Sequence, residues 1–123
     1  MNRQSISDET WERIRTEFAL PTLQQVRRRL SELTDDPEPV MRQLVRVIND
    51  GTFCPGFQFL PGGQLQPTVT ALFRRAMELD IPHNYFTLWM ITPSRSLAGT
   101  RPVDHLKKDP APLLRALESY RWR

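Results

Sequence analysis

The chain has 123 residues, 39% of them hydrophobic and 25% charged, with a net charge of +3, proportions that describe one globular domain and leave room for a single core. No apolar run approaches the roughly 20 residues needed to cross a bilayer, the first residues lack the apolar stretch of a secretory signal, and the single cysteine, Cys54, has no partner for an internal disulfide, so a cytoplasmic protein with no membrane partner is expected. Charge is unevenly spread. Eight Lys/Arg face nine Asp/Glu through Asp50, and nine face five beyond it, which makes the C-terminal half the basic one.

Ser7 ahead of Asp8 and Glu9 is a helix start, and Trp11, Ile14 and Phe18 fall on one face of the helix that follows. Pro21 restarts the chain, and Leu23, Val26 and Leu30 repeat the spacing, with Arg27, Arg28 and Arg29 mainly around the outer side. Asp36-Pro37 opens a third helix, marked by Val40, Leu44, Val47 and Ile48 and ended by Gly51. Residues 1–50 therefore read as a three-helix bundle. Next, Phe57 and Phe59 alternate with Gln58 ahead of Pro61-Gly62-Gly63, which predicts a small β-hairpin lying against the helices.

Pro67 opens a helix with Val69, Leu72, Phe73, Ala76 and Met77 on its apolar face, broken at Pro82. Tyr85, Phe86, Leu88 and Trp89 make the following helix apolar nearly all round, so it belongs between other elements or at a subunit contact, and Thr92-Pro93 ends it. Pro102 starts a short helix; Asp109-Pro110 begins the last, whose buried side is Leu113, Leu114 and Leu117. The fold class is all-α, mostly helical, with a small β-hairpin, in one domain whose residues 51–123 form a C-terminal helical unit.

Catalytic chemistry is poorly provided for. Cys54, His83, Asp104 and His105 are the residues that could begin a nucleophile or metal set, and none shows ligand spacing such as C-x-x-C or H-E-x-x-H. No enzyme activity, metal or cofactor is expected: Cys54 reads as a small, partly buried hydrophobe, and His83 as a cap or surface residue. The C-terminal end is instead suited to binding. Tyr120, Arg121, Trp122 and Arg123, with Arg115 upstream, combine rings with guanidinium groups on a flexible end that adds little to the core, and these residue types often dominate interface energies; the alternative is an ordinary frayed terminus with Trp122 folded back on the core. Gly99, between Ala98 and Thr100, suits positive φ or a close approach by another helix. Arg95 and Arg101 beside it either clamp that loop by bonding carbonyls or face a partner.

The run Pro55-Gly56-Phe57-Gln58-Phe59, the turn at Gly62-Gly63, the helix end from Trp89 to Pro93, and Leu97-Ala98-Gly99-Thr100-Arg101-Pro102 through Leu106 resemble the Xre/MbcA/ParS-type toxin-binding domain of bacterial type II antitoxins, over roughly residues 51–120. The resemblance implies a helical protein that neutralises a RES-type toxin, an enzyme that consumes NAD or uses it for ADP-ribosylation, by covering its NAD-binding cleft with the C-terminal segment. Relatives often add a DNA-binding helix-turn-helix, for which the nearest segment here is Gln24, Gln25, Arg27, Arg28 and Arg29; its half of the chain is net acidic and Asp35-Asp36-Pro37-Glu38 would repel DNA. The alternative for that half is a dimerisation bundle, and a homodimer is the expected assembly. The competing functions are a regulator bound to its own promoter DNA and a protein-interaction module with another partner.

Overall fold

Ser7 caps the first helix with its hydroxyl, which accepts the Thr10 N–H at 3.2 Å, and two acidic residues in the first turn complement the positive end of the helix. This opens a computed structural model that describes residues 6–122; residues 1–5 and Arg123, one of the residues assigned to partner binding, lie outside the described residues. Helix α1 (Asp8–Phe18) buries Trp11 and Ile14. Helix α2 (Leu23–Leu33) starts with a full capping box: Thr22 N–H donates to Gln25 Oε1 at 2.8 Å, and Gln25 N–H to Thr22 Oγ1 at 3.1 Å. It buries Val26 and Leu30.

The third helix is far shorter than its apolar spacing predicts. Helix α3 is Glu38–Met41 alone, after which the chain extends and Val47–Ile48 (β1) pairs antiparallel with Thr52–Phe53 (β2). The physical reason is local: β-branched Val45, Val47 and Ile48 favour extended backbone, and Asn49-Asp50-Gly51 turns the chain with Asp50 at φ 52° and Gly51 at φ 131°. The hairpin is therefore present but lies ahead of the predicted place. Where it was expected, Gly56–Gln58 form a 3₁₀ turn, and a single bridge, Phe59 to Leu65, spans the Pro61-Gly62-Gly63 turn.

Two contacts explain that displacement. The side-chain amide of Gln58, fully enclosed, takes the place of a strand: its Oε1 accepts the Val45 N–H at 2.8 Å and its Nε2 donates to the Val45 carbonyl at 2.9 Å. Gly56 runs against the end of α1, its N–H bonded to the Ala19 carbonyl at 3.0 Å, and a Cβ there would lie 1.7 Å from the Phe18 carbonyl oxygen.

Helices α4 (Pro67–Glu78), α5 (His83–Ile91) and α6 (Ala111–Glu118) enclose the main core. Phe86, Met90 and Ile91 of α5 are buried, in keeping with a helix that is apolar on most sides. The same core takes Ile14 from α1 and Val45 from the stretch before β1, so residues on both sides of position 50 share it. The outer edge of β1 is closed by the start of α5: His83 Nδ1 accepts the Arg46 N–H at 2.9 Å, and Asn84 Oδ1 accepts the Ile48 N–H at 3.2 Å. Among the described residues no helix is long and apolar enough to cross a membrane.

Candidate functional site

The loop after α5 is built around Ser94. Its carbonyl accepts the N–H groups of Leu97 at 3.0 Å and Gly99 at 2.8 Å, and its own N–H donates to the Thr100 carbonyl at 2.9 Å. Closing so tight a loop puts Ala98 at φ 56° and Gly99 at φ 81°. Gly99 thus meets the positive-φ expectation, but not that of a close helix approach, for nothing among the described residues lies within 4 Å of a Cβ built on it. The Thr100 hydroxyl donates its one proton to the Leu97 carbonyl at 2.6 Å, so the His105 Nε2, also 2.6 Å away, is the donor in their mutual bond.

Arg101 resolves into a clamp, though not the one expected. It bonds carboxylates rather than carbonyls: two bonds to Glu17 at 2.9 and 2.7 Å, and two to Asp104, both at 3.0 Å. These bonds fasten the loop to α1, and the guanidinium lies over the Phe18 ring at 6.0 Å. The bonds from Arg101 hold both carboxyls below the usual carboxylate range and raise the guanidinium's own affinity for its proton. Arg101 is consumed by the fold.

The chain after α6 folds back on the core instead of hanging free. The Tyr120 ring lies 6.5 Å from Trp89, the Trp122 ring 5.3 Å from Tyr85, and both side chains pack against the main cluster. Burial raises the Tyr120 phenol above its ordinary range. Of the two readings of this end, a flexible one that adds little to the core is corrected and the alternative, Trp122 folded back on the core, is the one observed: half-buried aromatic rings are worth more against Tyr85 and Trp89 than in water.

This docking creates a groove of about 320 Å³ between the Ser94 loop and the end of α6. Trp89, Pro93 and Ala116 supply apolar lining, and Thr92, Ser94, Ser96 and Ser119 are the hydroxyl residues beside them. Tyr120, whose own hydroxyl bonds the Tyr85 carbonyl, adds its ring, and Arg95 and Arg121 add the charge. No acidic residue lines it, and neither arginine forms an ion pair among the described residues. Such a groove can take an aromatic or aliphatic group with an anionic end. Of the residues expected to bind a partner, Arg95, Tyr120 and Arg121 meet here. Trp122 lines a neighbouring hollow with Tyr120 and Arg121, Arg115 is exposed on α6, and Gly99 and Arg101 shape the loop. Ser96 and Ser119, with hydroxyls 3.5 Å apart, were missed because nothing in either segment signals that they meet.

The residues of the DNA expectation separate in the same way. Gln25 is spent on the capping box, and Arg27 is paired with Glu38 at 2.6 Å; Gln24, Arg28 and Arg29 stay exposed on α2. Cys54 is fully buried rather than partly, and burial pushes its thiol up to about 11, so it stays protonated at neutral pH. His83 is neither cap nor surface residue but an acceptor for β1, held neutral by burial and by the Arg46 charge. Among the described residues no group of three His, Cys, Asp or Glu could hold a metal ion. Comparison with protein-family models, curated proteins and solved structures gave no match.

Proposed function

We propose that this protein is an antitoxin that neutralises a RES-type toxin by seating its C-terminal face over the toxin's NAD-binding cleft. The observation that carries the reading is the convergence of Arg95, Tyr120 and Arg121 on one acid-free groove whose two guanidinium groups are unpaired among the described residues. A cleft that takes a dinucleotide must accept rings and phosphates, and an opposing face able to engage its walls needs aromatic edges and charged donors held in place. The docked tail provides the rings already ordered, which lowers the entropy lost on association. The homodimer expected from the sequence belongs to the same proposal. Promoter binding has less support: Gln24, Arg28 and Arg29 are the groups left for it, with Glu32, Asp35 and Asp36 exposed close by in the chain.

The test is coexpression with a RES-domain toxin, following cellular NAD and the complex on a sizing column. The expected result is NAD depletion by the toxin alone, its prevention by this chain, and loss of both protection and complex in Arg95→Glu/Arg121→Glu. NAD depletion that this chain leaves untouched, with no complex formed, would overturn the proposal. Charge reversal is a better probe than removing residues 119–123, because removal would also strip Tyr120 and Trp122 from the core.

A further inference from the structure

A second surface, remote in sequence from the Arg95 groove, crosses α2. A hollow of about 670 Å³ lies between the end of α1, α2 and residues 56–63. Another of about 530 Å³ lies between the end of α2, Val40 and the start of α4. Leu30 and Gly63 line both, so the two hollows adjoin in one channel-like surface. Gly63 marks the junction: a Cβ there would meet Leu33 Cδ1 at 3.1 Å and Arg29 Nε at 3.4 Å, so those two side chains of α2 pack closely against it.

Part of the exposed apolar surface lies along this channel, whereas Ile48 lines neither it nor the adjoining hollow. Four large apolar side chains stand exposed among the described residues, Leu33, Ile48, Leu60 and Met77. Leu60 and Leu33 line the channel itself, and Met77 shares the adjoining hollow with Arg74, which reaches both. Apolar side chains scattered singly need no partner, whereas a run of them along a concave surface is what an interaction site exposes. The rim is basic. Arg28, Arg29 and Arg74 form no ion pair among the described residues, while their chain neighbours Arg27 and Arg75 are closed off by Glu38 and Glu118. Among the described residues Glu32 is the single acidic one lining the channel.

We propose that this channel docks an amphipathic segment of a protein partner, its apolar stripe on Phe59, Leu60 and Leu33 and its flanking carboxylates on Arg28, Arg29 and Arg74. Charge and surface chemistry select that occupant. Duplex DNA would satisfy the arginines with phosphates but lay a hydrated backbone over the leucines, regaining nothing for their burial. A second copy seated by this same surface would bring arginine rims together. An acidic amphipathic helix or strand answers both features at once. The proposal stands independently of the toxin reading.

The experiment is fluorescence anisotropy of a fluorescein-labelled helix with leucines at i, i+3, i+4 and i+7 flanked by glutamates, titrated with the full chain. Saturable binding is expected, weaker by roughly tenfold in Arg28→Glu/Arg29→Glu and for a probe with lysines in place of the glutamates. Leu33→Ser/Leu60→Ser should weaken it comparably, and Arg95→Glu should leave it unchanged. All these positions are exposed, and unchanged melting curves would verify that the variants fold. No saturable binding, equal binding of the lysine probe, or indifference to both pairs of substitutions would overturn the proposal. So would a dimer dissolved by Leu33→Ser/Leu60→Ser, which gives the channel to a second copy, or tighter duplex DNA binding lost in the arginine variants, which gives it to nucleic acid.

Discussion

Arg95 and Arg101 stand six positions apart on one short loop, yet the fold gives them opposite tasks. Arg101 is bonded on two sides, to Glu17 and Asp104, and fixes the loop against α1. Arg95 looks into an acid-free groove with Arg121 and makes no ion pair among the described residues. A guanidinium with carboxylates on both sides has already exchanged its hydration for protein contacts and has little left to offer a partner. One that lines a groove without acids keeps its donors for whatever arrives. In this loop, residue type predicts capacity, and the neighbours decide how it is used.

Breaking the free side of that comparison should have the largest effect. Arg95→Glu/Arg121→Glu is expected to weaken the proposed toxin complex by about two orders of magnitude or more, given that central interface arginines are often worth about 2 kcal/mol each, while leaving the melting temperature unchanged. Calorimetric titration beside a thermal melt separates the two readouts. Trp122→Ala should act on stability, because it removes the ring packed on Tyr85: a loss of about 2 kcal/mol, measured by urea unfolding. If stability does not change, the tail is not anchored as described.

The paired side predicts a smaller effect with a particular pH dependence. Arg101→Met should cost about 1 kcal/mol near neutral pH, since its partners are part-exposed and the pair is partly screened. Glu17 and Asp104 have carboxyls depressed by Arg101, so their stabilisation is present above the unfolded carboxylate range, about pH 4, and is lost as pH falls through the depressed values. The stability gap between the natural chain and Arg101→Met should therefore close on acidification; a gap constant from neutral to strongly acidic pH would contradict the clamp. Smallest of all, Gly99→Ala should cost about 1 kcal/mol or less, from its positive φ alone, because nothing among the described residues occupies the space a methyl would take.

What the sequence made legible was local. The Ser7 cap, the helix from Pro67, the enclosed helix around Trp89 and the positive φ of Gly99 each depend on residues within a turn or two of one another, and all lie where the pattern placed them. The hairpin was expected in the right neighbourhood but at the wrong turn. Val40, Leu44, Val47 and Ile48 fit helical spacing, and the competing turn signal of Asn49-Asp50-Gly51 won once Gln58 and Asn84 were there to receive the extended backbone. Neither partner is adjacent in sequence. The same holds at the groove: Arg95, Tyr120 and Arg121 were named from their chemistry, whereas the carboxylate that removes Arg101 from use, Glu17, lies in the first helix and carries no mark of its role.

The way β1 is completed also sets when that part of the chain can become native. Its outer amides, at Arg46 and Ile48, are held by side chains at the start of α5, thirty-seven and thirty-six positions later. A two-residue strand with so distant a second edge gains little from forming by itself, since the loop-closure entropy comes first and the reward only when α5 docks. Those two amides should therefore exchange with solvent deuterium in step with the buried amides of α5, as members of one opening unit, and not at the faster rate of an exposed hairpin tip.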